Sequence, residues 1–289
     1  ITLDSIRLHF DYFAAELAGQ VFYNNPINVV IIISGIIYFF RHKKEFDRRI
    51  TSFLLFTGFP LIGAALLLSL FNRTLPHWSG PGYLSLIILS ALALRQKQLD
   101  SGKKPIRPAL ISQAFFVIII LAGLLQINFG LLNPKSMADE EKLGKNDISL
   151  DMYGWQQATQ KISAMKSAEQ KSGAIGNNLV FITHNWFPAG HIEFYLANPL
   201  HKKLYIRGPA EKCHQYMFIN KRRGAIAKNS DAYYVTSSRY FAAPDPGLLD
   251  HYYSSDVRTI IPITRNNKTV YNVFIYRLKH AKSAFPIND

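Results

Sequence analysis

The chain changes character near its middle. Up to Leu132 it consists of long apolar stretches parted by short polar loops, and beyond that point apolar residues come only in short runs. A helix that crosses a membrane needs roughly 20 mainly apolar residues. Four stretches reach or approach this length and predict helices at about 21–40, 50–71, 77–94 and 109–132. The first contains VVIIISGIIYFF, and the second carries Pro60 among several small residues. The third has its apolar core in YLSLIILSALAL and is short, with Pro76, Gly80, Pro81 and Gly82 at its start. The fourth reads ALISQAFFVIIILAGLLQINFGLL. Pro and Gly are tolerated in such helices when neighbours satisfy the freed backbone groups. One such run would equally describe a buried core helix, but four separated by charged or polar loops point to a transmembrane region over residues 1–132. Residues 1–20 lack the basic start and cleavage signal of a leader peptide, so they predict an amphipathic segment leading into the first helix. The pattern is already under way at Ile1, from which the chain is expected to be part of a longer protein.

The second half predicts a different architecture. Residues 133–150, with the cluster ADEEKLGKND, predict a linker or irregular hook. From Asp151 to Lys171, the residues Met152, Trp155, Ala158, Ile162 and Met165 recur at helical steps. LVFITH, Leu179–His184, predicts a short buried strand, and Phe187–Asn198 a helix with Pro188 in its first turn. KKLYIRG, QYMFIN, AYYVTSS, VRTIIPITR and TVYNVFIYRLK predict further strands. Strands alternating with helices place residues 151–289 in the α/β class. The fold class expected is therefore a multi-pass α-helical membrane region of about four helices followed by an extracytoplasmic α/β domain.

Charge supplies the orientation. The protein has 33 Lys+Arg against 19 Asp+Glu. The loops Arg41–Arg49 and Arg95–Pro108 each hold five cations, whereas Asn72–Gly82 holds only Arg73. Short cationic loops stay on the cytoplasmic side. Asn72–Gly82 and everything after Leu132 are thus expected on the outer side, and nucleic acid is not an expected partner because much of the excess charge sits on anchoring loops. The lone Cys213 excludes a disulfide framework and a cysteine-rich zinc site.

Candidate chemistry gathers in two places. A short outer loop that holds Arg73, His77 and Trp78 together can offer a cation, a hydrogen-bond donor and a stacking face to a sugar or phosphate. The same residues also suit a plain membrane-interface belt. Glu16 and Gln20 lie one helical turn apart just before the first long apolar run and share a face, either of an outer cavity or of solvent. His9, Asp11 and Glu16 are metal-ligand types, but their spacing matches no familiar site and no metal is assigned. In the second half, His184, Asn185 and Trp186 follow the first strand, where open α/β sheets bind ligands. The opposing reading makes Trp186 a core residue and Asn185 a helix cap. KRRG at Lys221–Gly224 predicts a solvated turn able to touch anionic lipid headgroups. Tyr233, Tyr234, Tyr252 and Tyr253 are expected to pack. No GxSxG, HExxH or Walker loop occurs.

FDYFAAELAGQVFYNNP, followed by an apolar run, a basic loop, a second run and LPHWSGPGYLSL, resembles bacterial members of glycosyltransferase family 39. These are GT-C membrane enzymes akin to dolichyl-phosphate-mannose protein mannosyltransferases and lipid A aminoarabinose transferases. LDMYGWQQA and FITHNWFPAGHIEFYLA are similar to the extracytoplasmic domain of many of them. The resemblance implies a carboxy-terminal part of a bacterial inner-membrane enzyme with its last domain in the periplasm. It implies inverting transfer of a sugar from a polyprenyl-phosphate donor to a glycan, lipid or protein acceptor. The family's acidic catalytic loop is expected upstream of Ile1, so this stretch is expected to be inactive alone. Arg73, His77, Trp78, Glu16 and Gln20 are the positions expected to border the donor, and His184, Asn185 and Trp186 those expected at an outer-domain ligand. No cofactor is firmly implied, although a divalent cation stays open. The competing reading is a membrane-anchored module that binds glycan or protein without catalysis. A transporter half fits less well, because the apolar stretches hold no internal Asp, Glu, Lys or Arg.

Overall fold

A computed structural model describes residues 7–102, 106–132, 139–256 and 258–288. The chain divides into two compact units, Ile1–Leu121 and Ala122–Asp289.

The first unit is helical. Its elements are α1 (Phe10–Tyr23), α2 (Pro26–Arg41), α3 (Arg48–Ser69), α4 (Gly80–Ser101) and the first part of α5 (Ile106–Phe129). Among the described residues two helices, α3 and α5, are long and apolar enough to cross a membrane, and α1 with α2 would make a third as one bent span. The expected first span, at about 21–40, is corrected here: α1 and α2 meet at 94°. Asn25 sits at the break with φ 64, a left-handed value that Asn tolerates better than most residues. Its Oδ1 accepts the N–H of Ile27, and Pro26 opens α2 where a missing N–H costs nothing. Its Nδ2 donates to the carbonyl and hydroxyl of Ser112 on α5, so the bend is tied down from both sides.

The third expected span also shifts. Pro76–Ser79 forms a 3-10 turn, and α4 begins only at Gly80 but runs on to Ser101. This helix is the packing centre of the unit, with Leu86, Leu89, Ser90 and Ala93 buried. Small residues bring its neighbours close, as in membrane bundles generally. A Cβ on Gly82 would lie 2.7 Å from the Gly58 carbonyl on α3. The Ser90 hydroxyl donates to the Ile32 carbonyl on α2. By contrast, α3 and α5 expose Phe53, Phe56, Ile118 and Leu121, as helices facing hydrocarbon would.

The second unit is built on one mixed sheet. Its strands are β1 (Leu179–Thr183), β2 (Leu204–Ile206), β3 (Asp231–Ser237), β4 (Tyr252–Ser255), β5 (Thr259–Arg265) and β6 (Lys268–Ala281). Its helices are α6 (Trp155–Lys171), α7 (Trp186–Ile192), α8 (Ala210–Cys213), α9 (Tyr216–Arg223) and α10 (Pro246–Asp250). The order is β2-β1-β3-β6-β4, with β5 also on β6. β1 runs parallel to β2 and β3, and β6 runs antiparallel to β3, β4 and β5. Alternate residues of β1 serve two cores: Leu179 and Phe181 pack with Trp155, Ile162 and Ile192, whereas Val180 and Ile182 pack with Leu248, Phe285 and Ile287. Burial on both faces is why this strand reads as an unbroken apolar run.

Two expectations change in this unit. QYMFIN is not a strand but the body of α9, which ends at Gly224 with φ 76. The helix expected at Phe187–Asn198 is α7 followed by a π-helical segment, Glu193–Ala197. Of the linker or irregular hook expected at 133–150, residues 133–138 lie outside the described residues and 139–150 are packed as a hook: Leu150 is buried, the Ser238 hydroxyl donates to the Leu143 carbonyl, and Arg239 donates to the carbonyls of Gly144 and Asp147. Arg265 binds the same segment through a 2.7 Å pair with Asp147, with both side chains nearly fully buried. At the sheet margin the carboxamide of Asn220, on α9, accepts the N–H of Ile206 and donates to its carbonyl.

Candidate functional site

In the first unit the loop after α3 folds back onto α1. Pro76 lies so close to Gly19 that a Cβ there would sit 2.4 Å from the proline ring. The Glu16 carboxylate is buried and accepts from Gln20 Nε2 at 2.9 Å and from the Thr74 hydroxyl at 2.9 Å. Gln20 Oε1 in turn accepts from the Tyr83 hydroxyl on α4 at 3.0 Å. A buried carboxylate held by two neutral donors is costly unless its bonds are well made, and this network makes them. Beside it opens a cleft of about 450 Å³ lined by Asp11, Tyr12, Glu16, Arg73 and Thr74. The Arg73 guanidinium stands 5.0 Å from the Tyr12 ring centroid and, among the described residues, has no carboxylate partner.

This places the expected outer-loop residues unequally. Arg73 and Glu16 face one cleft. Gln20 supports Glu16 from behind and is buried. His77 is exposed, with its ring 6.2 Å from that of Tyr23, and Trp78 is half exposed; neither lines the cleft. Thr74 and Tyr83, which complete the network, carried no signal in the sequence beyond lying in or next to the same loop.

The second unit has its own cleft, of about 270 Å³, at the carboxyl ends of β1 and β3. The connection from β1 leaves towards β2 on one side while β3 lies on the other, which is the switch point where open α/β sheets receive ligands. His184 and Asn185 line it from β1, and Ser238, Arg239 and Tyr240 from β3. Lys142, Lys145 and Lys212 complete its walls. Asn185 caps α7, its Oδ1 accepting the N–H of Phe187 at 3.1 Å. The expectation for Trp186 is corrected: its side chain turns out of this cleft, half exposed, with its ring against those of Phe187 and His214.

His184 is the perturbed group here. Burial, reinforced by the charge of Lys212, pushes its pKa down to about 4 against one opposing main-chain bond at Tyr240. It is therefore neutral at pH 7, and its buried Nδ1 has no hydrogen-bond partner. Arg239 is already spent on Asp151, with Nε 2.7 Å from Oδ1. Among the described residues no cluster of three or more His, Cys, Asp or Glu is placed to hold a metal ion.

No family model matches the chain. Comparison with curated proteins and with solved structures likewise finds no match.

Proposed function

We propose that the chain is the carboxy-terminal part of a polyprenyl-phosphate-dependent glycosyltransferase of the GT-C type, resembling family 39. In this reading the bent pair α1–α2, α3, α4 and α5 make four spans of a bacterial inner membrane. Outer loops and the α/β unit then face the periplasm, as the cationic loops at Arg41–Arg49 and Arg95–Pro108 favour. The observation that carries the proposal is the cleft lined by Asp11, Glu16 and Arg73, the last with no carboxylate partner among the described residues. A guanidinium suits the donor's phosphate, since charge-assisted bonds to phosphate are the stronger kind. The carboxylates suit hydroxyls of the sugar. Such charges act more strongly where water is excluded than in bulk solution. The general base that must deprotonate the acceptor is not assigned to a residue of this chain.

The test is binding rather than turnover. The purified chain in lipid nanodiscs should bind undecaprenyl phosphate, and Arg73→Ala should weaken that binding about tenfold or more, the size of a hydrogen bond to a charged group. Failure of the wild-type chain to bind, or equal affinity in Arg73→Ala, would return Arg73 to an interfacial role. It would also favour the anchored binding module.

A further inference from the structure

The cleft at the carboxyl ends of β1 and β3 has a charge balance that the transferase reading does not use. Five of its lining side chains are ionic, but three are already satisfied. Glu141 pairs with Arg258, Lys142 with Asp139 at 3.1 Å, and Arg239 with Asp151. Lys145 and Lys212 have no carboxylate partner among the described residues, and both line the cleft. His184 lines the same cleft, and the charge of Lys212 reaches its ring.

We propose that this cleft binds a small phosphomonoester, its phosphate held by Lys145 and Lys212. Two unpaired lysines lining one cleft supply two positive charges, which match a dianion. A phosphate monoester is close to that charge at neutral pH, whereas a carboxylate carries half of it. Lysine is well suited to phosphate in this way, as a point charge rather than a planar fork. The occupant is small. About 270 Å³ lies just under the roughly 300–1,000 Å³ of pockets that enclose drug-sized ligands. The position also fits, because the switch point is where the connections part and leave a crevice above the sheet. The inference stands apart from the transferase proposal, since it uses residues of the second unit alone.

The same chemistry has two sources, a soluble sugar phosphate and a phosphate-ended lipid, and the probes separate them. Glucose 1-phosphate, glucuronate, dihexanoyl-phosphatidic acid and dihexanoyl-phosphatidylcholine are titrated by calorimetry into the full chain in nanodiscs. At least one of glucose 1-phosphate and phosphatidic acid should bind, and whichever does so names the source. The Lys145→Ala, Lys212→Ala double variant should weaken that binding about tenfold or more, the scale of bonds to charged groups. Both lysines are exposed, so the fold is not at stake in that variant. Lys142→Ala, which removes a cation whose charge Asp139 offsets at 3.1 Å, should leave binding within about twofold. The proposal is overturned if neither phosphomonoester binds, if the double variant binds as the wild type does, or if glucuronate binds as tightly as glucose 1-phosphate.

Discussion

Acidification should expose the burial of His184 as a measurable loss of stability. The folded-state pKa is about 4, against an ordinary value of 6.5, chiefly because burial disfavours the charged ring. Because the folded value lies below the unfolded one, the contribution of neutral His184 is complete above pH 6.5. It is lost as the pH falls towards 4. Each unit of difference corresponds to about 1.4 kcal/mol, which makes the full contribution about 3 kcal/mol, of which linkage removes about 2 kcal/mol by pH 5. For a domain of this size, 1 kcal/mol moves the melting temperature by about 2–4 °C. The assay compares wild type with His184→Gln at pH 7.5 and pH 5, following the second unit by hydrogen exchange or calorimetry. Wild type should lose about 4–8 °C more than the variant across that range. Carboxylates elsewhere titrate in both proteins and cancel in the comparison. Parallel pH profiles would refute the reasoning and mean that the imidazole is solvated.

Three further perturbations follow from the packing. Arg265→Met leaves Asp147 as an uncompensated charge beneath the sheet and should cost about 3–5 kcal/mol in chemical denaturation, whereas adding Asp147→Leu should recover part of it. Gly82→Leu drives a side chain into the Gly58 carbonyl and should abolish the monodisperse folded protein in detergent chromatography, while Gly80→Ala, which meets nothing within 4 Å, should elute normally. Asn25→Ala removes the α2 cap and both bonds to Ser112, so thermal unfolding in detergent should report a loss of about 1–3 kcal/mol.

The parts of the fold legible in the sequence were those with a long period or a long run. α3 falls within two residues and α5 within three of the bounds expected, because each is marked by a long apolar run. β1, β3, β5 and β6 stand out for their β-branched and aromatic content. The 94° bend after Tyr23 was hidden because apolar residues resume directly after it, although NNP was the signal. QYMFIN misled because six residues cannot tell a strand from a helix. Its burial decides: Tyr216, Met217 and Asn220 turn inward while Phe218 is exposed, a helical spacing rather than an alternating one. β4 escaped notice because, of its four residues, only Tyr252 is buried. For the candidate sites, Arg73, Glu16, His184 and Asn185 were legible as polar residues at loop and strand ends. Lys142 and Lys145 were not, since a charge cluster between elements looks solvated until Ser238 and Arg239 are seen to pin it.

The Asn220 carboxamide has a consequence for assembly. An outermost strand normally offers free N–H and C=O groups on which another chain can build. At β2 one side chain occupies both groups of Ile206, Asn288 Nδ2 shares its carbonyl at 3.0 Å, and Arg223 takes the carbonyl of Leu204. Asn220 thus acts as a one-residue strand that closes this margin to edge-to-edge aggregation and to capture of an extended peptide by strand addition. A polypeptide that paired with this sheet would have to approach from the opposite margin, where Tyr253, Ser254 and Ser255 of β4 are exposed.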